Sequence, residues 1–176
     1  MKLLKILETT SKKLGLIKLS VGKSSMEPVL SKKNLDLHYN KLAQGYVDRY
    51  NNHEGDPVFN QAGAFLHNIY FEQMHEPNND PPSGKLEELI VKKFKTFEKM
   101  QDAFEKELGS LQGSGWLYLS KTGDIKVIHN HEVKHDIALL IDMWEHAFIQ
   151  DYGSDKKKYL KNHWRIISWE VVSSRL

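Results

Sequence analysis

The chain of 176 residues has no cysteine. That excludes disulfides, thiolate nucleophiles and cysteine-type zinc sites, and it leaves histidine and carboxylate as the donors for any bound metal. Charge of one sign is also scarce. The 25 Lys and Arg against 23 Asp and Glu give a formal net charge of +2, which offers no electrostatic case for a nucleic acid or an anionic membrane as partner. Long apolar runs are missing too: no stretch approaches the roughly 18 to 20 apolar residues that cross a bilayer. The first twenty residues interleave lysines with short apolar stretches. They contain neither an unbroken apolar segment nor a small-residue cleavage site, so they do not read as a secretion signal, and Glu8 argues against an organelle transit peptide. The expectation is a soluble, cytoplasmic protein with no nucleic-acid or membrane partner. Prolines are few, and three of the five (Pro77, Pro81 and Pro82) crowd into one polar stretch, His75 to Gly84.

That crowding organises the rest. It marks a joint between two halves, since proline and glycine end regular structure. The expected units are a basic, partly amphipathic arm over residues 1–25, for which a helix is one reading, a helical unit over 26–80, and a mixed unit over 81–176. In the first half a helix begins near Ser31, with Leu35, His38, Leu42 and Tyr46 on roughly one side. Asn51 to Pro57 makes a turn, and a second helix runs from about Val58 to Met74, giving an antiparallel hairpin. In the second half Gly84 to Ile90 opens a helix, and Phe94 to Glu105 is another, with Phe97, Met100 and Phe104 on one face. The period then changes. Trp116–Leu119 and Ile125–Ile128 are short β-type runs around Lys121-Thr122-Gly123-Asp124, a hairpin signal. Ala138–Ile141 is a third apolar run, and helical spacing returns after about Ala147. The fold class is α+β, with a small antiparallel sheet in the second half.

The chemistry sits in the histidines. There are nine. His67 interrupts an apolar helix face and His38 has a similar setting; each fits a core histidine bonded to a carbonyl as well as a ligand. His53, His75 and His163 lie beside polar or loop sequence and read as surface residues. Asp142-Met143-Trp144-Glu145-His146 is more informative. Asp142 follows Ala138–Ile141, and a carboxylate at the end of a buried strand is costly unless it is paired or bound to metal. His146, four residues on, reaches the same point if a helix starts there; an Asp helix cap with a His in its first turn is the plainer reading. Three neutral imidazoles and one carboxylate leave a divalent ion with net +1 and a trivalent ion with +2, a centre suited to a small anion. A zinc hydrolase would accept the same donors, so spacing alone does not select the reaction.

Several motifs in order carry a resemblance. Asp142-Met143-Trp144-Glu145-His146-Ala147 resembles the D-x-W-E-H-A signature of the iron/manganese superoxide dismutases. Gly113-Ser114-Gly115-Trp116 resembles that family's G-S-G-W segment. Phe59-Asn60-Gln61-Ala62-Gly63 leading to His67, and His38 followed by Tyr46-Val47, are similar to its ligand segments on the first two helices. Pro82 to Leu86 and Lys161 to Trp169 also match its text, so the likeness spans about residues 26–176. It implies an N-terminal helical hairpin and a C-terminal α/β domain with a three-stranded antiparallel sheet. It implies one manganese or iron ion per subunit, held by His38, His67, Asp142 and His146 with a solvent molecule as fifth ligand, and superoxide as substrate. It implies Tyr46 and a second outer residue holding that solvent, with Trp116, Trp144 and Phe71 as an apolar wall. It also implies a homodimer through the metal-site face, with Glu145 reaching His146 of the partner subunit.

The departures from the family pattern are informative. The usual outer glutamine is absent: the helix position is Gly63, and the sheet-side position falls on His131, with His129 as the neighbouring option. A polar bridge across the dimer is replaced by Leu42 and Ile149, a paired change that strands no buried partner. The channel arginine is Lys156, followed by Lys157 and Lys158, which keeps the positive charge but not the planar fork. Two other readings stand beside this one: a structural or interaction protein on the same fold without catalysis, and a metal-dependent hydrolase or metal-storage module using the same donors.

Overall fold

The computed structural model describes residues 13–176. Ser31 caps the first helix: its side chain accepts from the Asn34 amide, as an N-cap should. Helix α1 (Lys32–Leu37) passes into a π-helical segment, His38–Ala43, and then α2 (Gln44–Asn51). The π segment starts at His38, and such segments recur at functional sites because they re-aim side chains within an otherwise regular helix. Asp56 caps α3 (Pro57–Glu72), accepting from the Val58 and Phe59 amides with Pro57 at the first turn. Helix α3 packs back along α2, which is the expected hairpin.

The second half contains α4 (Gly84–Phe94), α5 (Phe97–Leu108), strands β1 (Gly115–Ser120), β2 (Ile125–His129) and β3 (Ile137–Asp142), then α6 (Glu145–Tyr152), α7 (Lys156–His163) and α8 (Trp169–Ser174). The sequence expectation that Phe94 begins a helix is shifted. Lys95 has φ 78°, which ends α4, and Thr96 caps α5 by accepting from the Lys99 amide. The sheet is antiparallel with strand order β2-β1-β3, and the β1–β2 turn places Gly123 at φ 83°. β1 is central and fully buried along its length, as its unbroken apolar run requires.

One continuous core runs through both halves, from Met26 and Leu66 to Leu139 and Val172. Gln73, just past α3, ties them together. Its side-chain amide donates to the Leu140 carbonyl and accepts from the Leu140 amide on β3. Arg175 closes the same corner, bonding the Gln73 side chain and the Ala138 and Ile69 carbonyls. The helix bearing His67 and the strand bearing Asp142 are thereby fixed to each other.

The N-terminal arm differs from its helical reading. Residues 13–19 carry no helix, and residues 1–12 of the arm lie outside the described residues. Two asparagines hold the extended segment. Asn51 pairs with both backbone groups of Leu14, and Asn68 accepts from the Ile17 amide while donating to the Gly15 carbonyl. Those bonds give the backbone groups of Leu14, Gly15 and Ile17 partners that no helix or sheet supplies there.

Candidate metal centre

Four residues from four elements converge. His38 comes from the start of the π segment, His67 from the middle of α3, Asp142 from the last position of β3 and His146 from the first turn of α6. The side chains of His38, His67 and Asp142 are fully buried, and that of His146 is 15% exposed. One donor atom from each lies within 4.8 Å of all the others, and this is the one such cluster among the described residues. The Asp142 Oδ2 atom is the hub, at 3.1 Å from His38 Nε2, 3.6 Å from His67 Nε2 and 3.1 Å from His146 Nε2. Its other oxygen, Oδ1, accepts from the Trp144 amide at 2.8 Å, which fixes the carboxylate plane. Asp142 is therefore not the helix cap of the plainer reading: Trp144 holds the cap position of α6 without a side-chain cap bond, while one Asp142 oxygen organises the turn before it and the other faces the imidazoles.

The proton inventory suits a cation here. His67 Nδ1 lies 2.7 Å from the Gly63 carbonyl, so Nδ1 carries the hydrogen and Nε2 presents a lone pair. That lone pair faces a carboxylate oxygen with no proton between them, and Nε2 has no hydrogen-bond partner although it is buried. Protonating the ring does not resolve this, because burial and the neighbouring His38 push the His67 pKa well below its ordinary value. Burial lowers His38 as well, against the opposing effect of Asp142, which can accept from the ring. Burial alone would raise Asp142, but the adjacent His146 and His38 outweigh it and hold it ionised. A bare His67 nitrogen beside an anionic oxygen, with two further imidazole nitrogens facing the same atom, fits a metal ion. The all-N/O donor set suits iron or manganese.

Around this cluster lies a ring of aromatics. Tyr46 sits with its ring 5.3 Å from His67 and 4.8 Å from His131. Burial, helped by the Asp142 charge and opposed by Arg49, raises the Tyr46 phenol to about 12. Gly63 makes this approach possible: a Cβ there would stand 2.8 Å from two Tyr46 ring carbons. His131 is 8% exposed, stacked on Trp144 at 4.5 Å, with its Nδ1 accepting from Trp116 Nε1 at 3.2 Å. Its Nε2 then carries the hydrogen and is buried without a partner. Burial pushes His131 down to about 4, so it is neutral at neutral pH. His129, the neighbouring option, is exposed at the end of β2. Trp116 is fully buried edge-on to His67, Phe71 packs on His38 and His67, and Trp144 stacks on His146.

Glu145 is the first residue of α6 and is exposed, as is Ile149 one turn on. Lys156 Nζ stands 5.8 Å from the Phe148 ring centroid, while Lys157 pairs with Glu105 at 2.9 Å. One surface expectation is overturned: His163 is 1% exposed, because α7 turns that face into the core against Tyr70 and Tyr159. His53 and His75 are exposed as expected. The sequence reading also passed over Gln73, Tyr70 and Asn34. Asn34 is fully buried and donates to the Ala147 carbonyl at 3.0 Å, joining α1 to α6. For the Tyr70 group the available signal was Tyr159 and His163 four apart on one helix.

Comparison with known proteins agrees with this geometry. The family described as iron/manganese superoxide dismutases, C-terminal domain, matches residues 82–175. The chain is 33% identical to a superoxide dismutase [Mn/Fe] of Porphyromonas gingivalis, covering 91% of this chain and 97% of that one. It is 34% identical to a superoxide dismutase [Fe] of Bacteroides fragilis, covering 90% and 97%, and 29% identical to a superoxide dismutase [Fe] of Pyrobaculum aerophilum, covering 95% and 93%.

Proposed function

This chain belongs to the iron/manganese superoxide dismutases, and from that premise we propose which of its residues do the work. It is an oxidoreductase that disproportionates superoxide, two O₂⁻ and two H⁺ giving O₂ and H₂O₂, with one iron or manganese ion per subunit. The non-catalytic and hydrolase readings find no support among its relatives.

We assign His38, His67, Asp142 and His146 as the ligands. The carrying observation is the buried, bare His67 Nε2 facing the Asp142 carboxylate at 3.6 Å with no proton between them. The ion, when bound, supplies the alternating one-electron acceptor and donor that superoxide needs. Tyr46 keeps its phenol proton throughout the neutral range, since burial raises it to about 12, and so serves as a fixed hydrogen-bond donor. His131 Nε2–H is the second donor, taking the place of the family's glutamine. Together they hold and orient solvent and the incoming anion. Trp116, Trp144 and Phe71 exclude bulk water and lower the local dielectric, which strengthens both hydrogen bonds. Lys156 supplies positive charge for steering.

The same reading includes a homodimer formed through the metal-site face. Glu145 is exposed beside His146, with Ile149 52% and Leu37 38% exposed nearby in sequence on the elements that bear ligands. It also includes a cytoplasmic location, without nucleic-acid or membrane partners, and a division into an arm over 1–25 and units over 26–80 and 81–176. No helix of the described residues is long and apolar enough to cross a membrane.

Elemental analysis with a superoxide-consumption assay tests the assignment. The wild-type protein should carry about one redox metal per chain and be active, and His146→Ala should be inactive. A purified, folded wild-type chain that retains neither iron nor manganese would sink it. Sedimentation of the wild type and of a Glu145→Ala variant tests the dimer.

A further inference from the structure

Three polar side chains lie in the core beside the ligands, and nothing above uses them. Tyr70, Tyr159 and His163 are 0%, 0% and 1% exposed. The two phenol oxygens are 3.2 Å apart. The His163 ring lies nearly parallel to Tyr70, 14° between planes at 5.4 Å, and 5.1 Å from Tyr159. Tyr70 in turn packs on His38, with ring centroids 5.4 Å apart.

Hydrogen-bond arithmetic within this triad is incomplete in a complementary way. Two phenols bring two hydrogens, and their mutual bond uses one. The other has no acceptor, and His163 Nδ1 is buried with no partner. Burial keeps His163 neutral, pushing it down to about 3, so it retains one bare nitrogen that can accept. An unmet donor and an unmet acceptor in the core each cost about 1–3 kcal/mol, whereas apolar rings at these positions would cost nothing of the kind. Packing alone does not call for these atoms.

His38 supplies the reason to have them. His67 is anchored at its second nitrogen by the Gly63 carbonyl, but His38 Nδ1 has no protein partner. Ligand imidazoles are ordinarily oriented by an outer contact at that nitrogen. The orientation of His38 therefore rests on the rings packed against it, Tyr70 among them.

We propose that His163 is a positioning residue for His38: its Nδ1 takes the spare phenol hydrogen through one buried water, and so locks the Tyr70–Tyr159 pair against the ligand. The proposal rests on the ligand assignment above. With His163 as the terminal acceptor the hydrogen bonds run one way through the triad, and chains polarised in this way strengthen each member. The Tyr70 ring then has one plane and His38 one orientation.

The test uses the full chain in two states. On metal-free protein, NMR should show a phenol hydroxyl proton protected from exchange. His163→Phe, which keeps a flat ring, should lose that signal, and His163→Gln, which restores an acceptor, should regain it. On metal-loaded protein, His163→Phe should shift the midpoint potential of the bound ion, and His163→Gln should return it towards wild type. A purely structural role predicts the opposite order, with Phe closer to wild type than Gln. Tyr159→Phe, which breaks the triad at a second point, should reproduce the shift. An unchanged potential in both His163→Phe and Tyr159→Phe overturns the proposal, as does a folded His163→Gln that behaves like His163→Phe. A wild-type chain that binds no metal sinks the ligand assignment instead, and the metal-free NMR result is independent of it.

Discussion

Two tyrosine–histidine pairs flank the ligands, and water separates them in character. Tyr46 packs on His67 and meets His131; Tyr70 packs on His38 and meets His163. The ring distances are alike. Burial is not: Tyr46 and His131 are each 8% exposed, while Tyr70 and His163 are at 0% and 1%. In both pairs burial holds the imidazole neutral and the phenol protonated. The first pair has a donor, His131 Nε2–H, with nothing in the protein to receive it, at the margin where an anion and its solvent can arrive. The second pair has a spare acceptor sealed among side chains. On the proposed roles, identical residue types serve substrate handling in one place and ligand orientation in the other, and solvent access separates them.

The largest effect should come from removing what both pairs surround. Asp142→Ala takes away the oxygen that all three imidazoles face and should abolish metal retention and activity together. Elemental analysis checks this, and stoichiometric metal in the variant would dissolve the comparison by removing its centre. Next, His131→Ala should lower turnover by about 10–100-fold, the usual cost of losing an outer partner. His135→Ala, at an exposed residue with its ring 6.0 Å from that of Phe65, should stay near wild type. Equal losses in the two variants would mean that the more exposed pair has been misassigned.

A subtler contrast is pH dependence. The folded chain holds His163 near 3, whereas the unfolded chain takes up that proton near the ordinary 6.5. Its contribution is therefore complete above pH 6.5 and drains away as the pH falls towards 3. Urea denaturation of metal-free wild type and His163→Phe should show the variant gaining on wild type by on the order of 1 kcal/mol per pH unit below 6.5. Parallel curves would mean that His163 is solvated. The smallest effect is expected at Gly63→Ala. Alanine favours a helix interior by up to about 1 kcal/mol, but its Cβ would press on the Tyr46 ring at 2.8 Å. Overpacking costs about 1–3 kcal/mol, so a modest net loss in thermal midpoint is expected, with a disturbed Tyr46.

Much of this was legible in the chain itself. Helical spacing marked α3 within two residues at either end, and the three clustered prolines fall in the stretch between α3 and α4. Asp142 was legible because an ionised group directly after an apolar strand needs a physical excuse. The four-residue interval to His146 was legible because helices bring such pairs together. What escaped notice depends on which face an element turns inward. His163 sits among lysines and an asparagine, so its neighbours suggested solvent; only the rotation of α7 buries it. Gln73 reads as an ordinary polar residue ending a helix, and its role exists only once β3 lies alongside. The course of residues 13–19 was not legible for a similar reason. Their backbone is satisfied by Asn51 and Asn68, 37 and 51 residues away, a distance at which local pattern carries no information.

The Gln73 clasp has one more consequence. A three-stranded sheet ends in two open margins, and β3 is one of them. Open margins invite strand addition from a neighbouring molecule, the first step towards aggregates. With a side-chain amide already occupying both groups of Leu140, and Arg175 occupying Ala138, an intruding strand finds its template taken. Copies of this chain are thereby discouraged from associating along the strand that carries Asp142.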